Sequence, residues 1–180
     1  MTCICGRIVV MRQSPPRQSI VEQILADIES AFGNVVLGDG ISLHQARALD
    51  DYESEAQAAV VRNLDTESRW QDLSDEEVDQ FGDALPFMDA AGFRFHMPRF
   101  MVFALTAGLN GSDSFAVDAT IYQCDFSEEL KDYAMLRYAL LSSEQRKVIA
   151  EFLRFIVEHP HDFHASVAAQ ALEKYWSRHE

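Results

Sequence analysis

Cysteine is scarce in this chain of 180 residues, which contains only Cys3, Cys5 and Cys124. The low number excludes the dense disulfide framework of small secreted domains. A chain of this length buries roughly 70% of its unfolded surface, so it needs neither disulfides nor a metal to fold. The three cysteines offer three metal ligands without an evident fourth, and we therefore expect free thiols in a reducing, cytoplasmic setting.

Long apolar runs are also missing. Residues 8–11 are too few for the core of a secretory signal, and the longest run begins at Phe100 and ends soon after Leu105. A membrane-spanning helix needs about 20 consecutive apolar residues. We therefore expect neither a signal peptide nor a membrane span.

Basic residues are outnumbered: 15 Lys and Arg face 29 Asp and Glu, for a net charge of −14. Residues 1–18 carry three arginines and no acid, whereas residues 41–90 carry thirteen acids and three arginines. A field of this sign repels nucleic-acid phosphates and anionic lipid surfaces, so we expect no nucleic-acid or membrane partner. It attracts a basic protein, although the same charge is compatible with a role in solubility alone.

The recognisable catalytic motifs are missing too. The sequence has no G-x-S-x-G, no H-E-x-x-H, no phosphate-binding glycine loop and no dinucleotide fingerprint. Each of these motifs places a nucleophile, a metal or a phosphate by a specific local geometry. The sequence therefore indicates no enzyme class and no cofactor.

What is present is a helical pattern. Capping boxes, which mark helix starts, occur at four serines followed three residues later by Glu or Gln: Ser19, Ser42, Ser74 and Ser142. Apolar residues then recur at steps of three and four. Two prolines in residues 12–18 indicate a linker. We predict an extension over residues 1–18 and, over residues 19–180, a single, mainly α domain of about seven helices.

One or two short strands complete the predicted fold. Phe93–Met97 alternates apolar and polar residues, and residues 115–123 have a strand-like composition, so a small hairpin between them is compatible with the pattern. In this interpretation Gly92 ends the preceding helix and Pro98 begins the next.

Several stretches resemble a family of small, uncharacterised bacterial proteins, which share an Arg-Trp connector and a Gly-Phe-Arg-Phe-x-x-Pro segment. The matching stretches are RWQDLSDEEV (69–78), DALPFMDAAGFRFHMPRFMVFAL (83–105), SEQRKVIAEFLRFI (143–156) and ALEKYWSR (171–178). His44 and the acidic pair before Tyr52 also fit. The resemblance runs from about residue 19 to residue 177 and implies one domain, without implying an activity or any functional residue.

The first candidate site lies in the predicted strand. If Phe93 and Phe95 face the core, Arg94 and His96 face the other way by the two-residue period. Together with Arg69 they would form an anion- or carboxylate-binding pocket. The alternative, which we favour, is a structural network of arginine–aspartate pairs that holds the strand to the acidic helices.

His44 and Asp51 form a second candidate. They lie seven residues apart, so a continuous helix would place them on one face, where a His–Asp pair serves as a general base. No matching nucleophile is evident. An ordinary histidine at the edge of the core is the simpler interpretation.

A third candidate is the cluster HPHDFH, residues 159–164, with three histidines and one carboxylate. Such residue types bind zinc. The segment nevertheless spans a helix end and a helix start, and structural zinc sites draw ligands from more than one segment. We therefore expect an exposed interhelical loop in which Asp162 caps the last helix, and no metal site.

The last candidate is an acidic belt, which consists of Asp50, Asp51, Glu53, Glu55, Asp72, Asp75, Glu76, Glu77 and Asp79. Five of its members are the candidate contacts for a basic partner: Glu53, Glu55, Asp75, Glu76 and Asp79. In the simpler interpretation they are a solvated face whose acids match the helix dipole. Two hypotheses follow: a non-enzymatic domain that binds or inhibits a basic protein, in the manner of immunity proteins, and a small-ligand binder or enzyme that uses Arg94, His96, Arg69, His44 and Asp51. We favour the first.

Overall fold

Nine α-helices make up most of the described chain, and five short 3₁₀ helices connect or follow them. The computed structural model describes residues 16–109, 113–159 and 164–179. The helices are α1 (Arg17–Phe32), α2 (Leu43–Asp50), α3 (Glu55–Val61), α4 (Asp75–Gln80), α5 (Ala90–Leu109), α6 (Phe115–Tyr122), α7 (Lys131–Tyr138), α8 (Ser143–Glu158) and α9 (His164–Lys174). The 3₁₀ helices are Arg62–Leu64, Trp70–Asp72, Leu85–Phe87, Glu128–Leu130 and Trp176–His179.

The helix starts follow the serines of the sequence. Capping boxes with both reciprocal contacts are present at Ser42, Ser74 and Ser142, as predicted, and another is present at Ser54. The exception is α1, which begins at Arg17 after Pro16 rather than at Ser19. Proline suits this position because its fixed φ matches the first helical turn.

Helix α5 lies at the centre of the core. Phe93, Phe95, Met97, Phe100 and Met101 are each at most 1% exposed. The helix packs against α1, α4, α6 and α7, while α8 packs against α1 and α9. A helix that is apolar around most of its circumference belongs in the interior, and here four of the other helices, α1, α4, α6 and α7, pack against it.

The predicted hairpin is wrong. Phe93–Met97 lies within α5, residues 115–122 form α6, and the described residues include no strand. A short apolar segment buried on all sides shows no clear period, so alternation over five residues does not separate strand from helix. Gly92 accordingly lies in the first turn of α5, and Pro98 lies inside this helix, where packing outweighs the loss of one backbone hydrogen bond.

Two further breaks interrupt the acidic segment. One, near residues 50–52, separates α2 from α3, and Tyr52 there has a positive φ of 57°. Pro86 splits the segment after α4 into a separate 3₁₀ helix. The helix count exceeds the predicted seven because α2 and α3 are separate and α6 replaces a predicted strand. None of the helices in the described ranges is long and apolar enough to cross a membrane.

Two glycines allow the loop before α2 to touch the start of α5. A Cβ atom on Gly40 would lie 2.6 Å from the Gly92 nitrogen, and one on Gly92 would collide with the Ile41 carbonyl oxygen. The carboxylate of Asp89 fixes this contact, since its Oδ1 accepts hydrogen bonds from the backbone N–H groups of Ile41, at 3.1 Å, and Gly92, at 2.8 Å. The contact holds the acidic segment 41–90 against the central helix.

Replacing Gly92 with alanine should destabilise the protein. Helix propensity alone favours alanine by about 1 kcal/mol. The collision with the Ile41 carbonyl should reverse this sign and lower the free energy of unfolding by about 2 kcal/mol or more. Urea denaturation measures the difference.

The matched control is Ala26→Gly, in the exposed part of α1, which should cost about 1 kcal/mol by helix propensity. A Gly92→Ala variant as stable as the wild type would show that the two backbones do not need this close approach.

Candidate functional site

Cationic side chains in this fold join separate segments of the chain by hydrogen bonds. Six of them, within the described ranges, donate hydrogen bonds to backbone carbonyls of other segments: Arg47, Arg62, Arg99, Arg137, Arg146 and Lys174. Such charge-assisted bonds are stronger than neutral ones. They join loops to helices, and they hold these cationic groups against the backbone so that they do not extend freely into solvent.

The acidic segment 41–90 shows this arrangement most clearly. Arg47 contacts Asp83 Oδ1 at 2.5 Å and the Gln80 carbonyl at 2.9 Å. Arg62 donates to the carbonyls of Gly38 and Gly40 and to Gln45 Oε1. Two of the three arginines in this segment are therefore engaged within the fold.

Arg99 of α5 makes a similar tie to α4. It is only 8% exposed, and its Nε lies 2.7 Å from the Leu73 carbonyl oxygen. Its Nη2 lies 2.5 Å from Asp75 Oδ1, although the Asp75 side chain itself is 65% exposed. The buried guanidinium is thus paired, as a buried charge requires.

The acids named as partner contacts all lie on the surface. Five are exposed: Glu53, Glu55, Asp75, Glu76 and Asp79. Asp75 and Glu76 occupy the first turn of α4, where the helix dipole stabilises negative charge. Asp79 accepts a hydrogen bond from the Ser114 hydroxyl. The exposed face of α4 and the start of α3 therefore present carboxylates to solvent.

His44 pairs with a carboxylate, but with Asp65. Its Nδ1 lies 2.8 Å from Asp65 Oδ1, and its backbone N–H donates to Oδ2 at 3.2 Å. Because a carboxylate oxygen only accepts hydrogen bonds, Nδ1–H of the ring is the donor in this contact. Asp51, the partner proposed from helical spacing, is an exposed residue at the end of α2. Asp65 was missed because it lies 21 residues away, beyond a 3₁₀ helix, where spacing gives no signal.

His96 is buried at 2% exposure and faces the core. Its Nδ1–H donates to the Gly92 carbonyl oxygen at 2.8 Å, one turn earlier in α5. Burial lowers the pKa of His96 to about 4, although the Gly92 carbonyl and the charges of Asp65 and Asp89 act in the opposite direction. The expectation that His96 points away from the core is wrong because the segment is a helix.

The two arginines of the proposed pocket lie in different settings. Arg94 is half-buried, and its Nε has no hydrogen-bond partner among the described residues. Arg69 is exposed and precedes a 3₁₀ helix. No hydrogen bond or ion pair within the described ranges joins Arg69, Arg94 and His96. The pocket hypothesis stays a prediction.

Metal ligands are not gathered in the described part of the chain. There, no group of three or more His, Cys, Asp or Glu side chains is placed to hold a metal ion. Of the histidine cluster, His159 ends α8 and His164 pairs with Asp118 at 2.9 Å, whereas residues 160–163 lie outside the described residues, as do Cys3 and Cys5. Cys124 is fully buried, and burial raises the pKa of its thiol well above the ordinary range.

Comparison with protein families identifies the family of this chain. Residues 21–180 match a family of unknown function, DUF6714. The chain belongs to this family. The match leaves out the whole of the predicted extension, residues 1–18, and supports the resemblance to an uncharacterised domain family. No curated protein and no solved structure matches the chain.

The buried His96 predicts a pH dependence of stability. Its folded pKa of about 4 lies below its ordinary value of 6.5, so the unfolded chain binds a proton that the folded chain does not over this interval. The stability is therefore complete above pH 6.5 and falls as the pH drops towards 4, by about 3 kcal/mol from this group. Urea denaturation at several pH values measures the slope.

His96→Gln is the matched variant because glutamine does not titrate. Other groups contribute equally to both proteins, so the difference between the two slopes isolates His96. Parallel pH profiles for the two proteins would show that His96 titrates normally in the folded state.

Proposed function

We propose that this domain is a non-enzymatic protein-binding domain whose partner is basic, of the kind that inhibits or escorts another protein. The observation that carries the proposal is the placement of charge in segment 41–90. Its carboxylates at Glu53, Glu55 and Glu76 are exposed, whereas Arg47 and Arg62 are engaged with the fold. The outward-facing charge of this segment is therefore almost entirely negative.

Charge of this kind acts mainly on encounter and orientation. A negative surface attracts a positively charged partner over roughly a Debye length, about 8 Å at physiological salt. Complementary charge raises association rates far above those of neutral surfaces and disfavours acidic competitors. The acids of α4 suit this role because they lie in a first turn that begins with the capping box at Ser74, where the helix dipole favours negative charge.

The ligand-binding alternative has less support. It depends on His96 meeting a ligand, yet His96 is buried and donates to its own helix. The His44–Asp65 pair has the geometry of a general base and its orienting carboxylate. Within the described residues, however, no hydroxyl or thiol side chain hydrogen-bonds to His44. Binding of a protein therefore remains the proposed function.

Neutralising the acidic surface should weaken capture of the partner. The triple variant Glu53→Gln, Glu55→Gln, Glu76→Gln removes three exposed charges and no ion pair within the described residues. The immobilised wild-type protein should retain a basic protein from a native lysate at low salt, and the triple variant should bind the recovered protein about tenfold more weakly. Surface plasmon resonance with the purified partner measures the difference.

The matched control removes three exposed acids elsewhere: Glu22→Gln, Glu158→Gln, Glu173→Gln. Both variants have a net charge near −11, since each loses three of the chain's −14. If the affinity falls equally in both variants, net charge explains the loss and the position of the acids does not. Recovery of no basic protein by the wild type would contradict the proposal.

A further inference from the structure

One face of α7 and the 3₁₀ helix before it leaves large apolar side chains in solvent. Leu130, Tyr133, Leu136 and Leu140 are 58%, 47%, 69% and 50% exposed. Their spacing of three, three and four residues places them along one side of the helix. Isolated exposed leucines are ordinary, but a continuous apolar row on one helix side indicates a binding surface. We refer to these four residues as the α7 row.

A groove runs beside the α7 row. It has a volume of about 490 Å³ and lies between α7 and the segment that leads into α5. Its walls are mostly apolar: Ile41, Phe87, Met88, Ala90, Ala91, Tyr133, Leu136 and Leu140. The Tyr133 hydroxyl donates to the Pro86 carbonyl oxygen at 2.6 Å and so fixes one wall to the other. The row and the groove form one preformed apolar surface.

Arg137, the cation in the groove wall, is buried and does not reach the opening of the groove. Arg137 is only 6% exposed, and its guanidinium donates to Gln123 Oε1 at 2.6 Å and to the Leu85 carbonyl oxygen at 3.3 Å. The guanidinium carbon also lies 5.4 Å from the Phe93 ring centre and 5.2 Å from that of Tyr133. These contacts satisfy Arg137 within the fold.

The exposed charge around the groove is mainly negative. Asp89 lines it, and the exposed Asp132 and Glu129, which precede Leu136 by four and seven residues, lie by this spacing on the same side of the chain as Leu136. Lys131, the cation on this part of α7, lies 3.6 Å from Glu128 and is offset by it. Hydrogen bonds from its own backbone N–H and from the Ser127 hydroxyl lower the pKa of Glu129, so this carboxylate is ionised at neutral pH.

We propose that the groove and the α7 row bind an amphipathic helix of a partner protein, whose apolar side chains enter the groove and whose lysines or arginines reach Asp89, Glu129 and Asp132. This inference rests on the proposed function and names the surface and the chemistry of the partner. Helices that dock in grooves present apolar residues at steps of three, four and seven, the spacing that the α7 row itself displays.

Charge decides between this occupant and a second copy of the chain. Two copies would bring together proteins of charge −14 each, with acids of the two rims facing one another. A basic amphipathic helix avoids both kinds of repulsion, because it covers the apolar row and its cations neutralise the acids around the groove. The mixture of exposed leucines and carboxylates therefore selects a cationic helix.

A synthetic helix tests the proposal directly. The probe is a fluorescein-labelled peptide of about 18 residues, five helical turns, with leucines on one face and lysines elsewhere. The full-length protein should bind it, and Leu136→Gln, Leu140→Gln should weaken binding at least about tenfold, the effect of removing about 1.4 kcal/mol of apolar contact. Fluorescence anisotropy gives both affinities.

The matched control is Val60→Gln, Leu64→Gln, which alters two apolar residues that are 69% and 61% exposed on another surface. This variant should bind the probe within about twofold of the wild type, since neither residue touches the groove. A peptide of the same composition with scrambled order, and one with glutamates in place of lysines, should both bind at least about tenfold more weakly than the probe.

Three results would overturn the inference: equal loss in both double variants, equal binding of the glutamate peptide, or a wild-type dimer in sedimentation that the Leu136 and Leu140 changes dissociate. Failure of the groove proposal can be distinguished from failure of the proposed function, because different variants test the two. If the Glu53, Glu55 and Glu76 variant loses its partner while the groove variant binds the peptide normally, the results support the acidic surface as a binding site and contradict the groove as one. The opposite pair of results would support the groove and contradict the acidic surface.

Discussion

The burial of most of α5 is the constraint on which the remaining structure depends. Its apolar residues, including Phe93, Met97 and Phe100, are lost from solvent only if other helices surround them. The same requirement sets the state of its polar residues: His96 is neutral and hydrogen-bonded to its own helix, and Arg99 is paired. A central helix thus determines both the packing and the placement of charge around it.

Cationic and anionic side chains have different roles in this fold. Arginines, with their several donors, join distant backbone segments; Arg62 and Arg137 each bond to carbonyls in other parts of the chain. Some carboxylates also join segments, as Asp65 and Asp89 do, but Glu53, Glu55 and Glu76 stay in solvent. The acidic character of the surface is therefore a consequence of how the fold uses its cations, as well as of composition.

Much of the fold follows from local sequence, and the site does not. The capping boxes at Ser42, Ser74 and Ser142 act over three residues, so the helix starts could be predicted. The segment 93–97 was misassigned because a helix buried all round loses its period. The partner of His44 could not be predicted, since Asp65 is brought to it by the path of a connector and by tertiary packing.

We propose that exposed carboxylates attract a basic partner while an apolar surface holds it. The most direct test is stopped-flow measurement of the association and dissociation rates with the captured partner at increasing salt. Electrostatic attraction predicts an association rate that falls at least about tenfold between low and physiological ionic strength, with little change in dissociation. An association rate independent of salt would contradict electrostatic attraction between this surface and its partner.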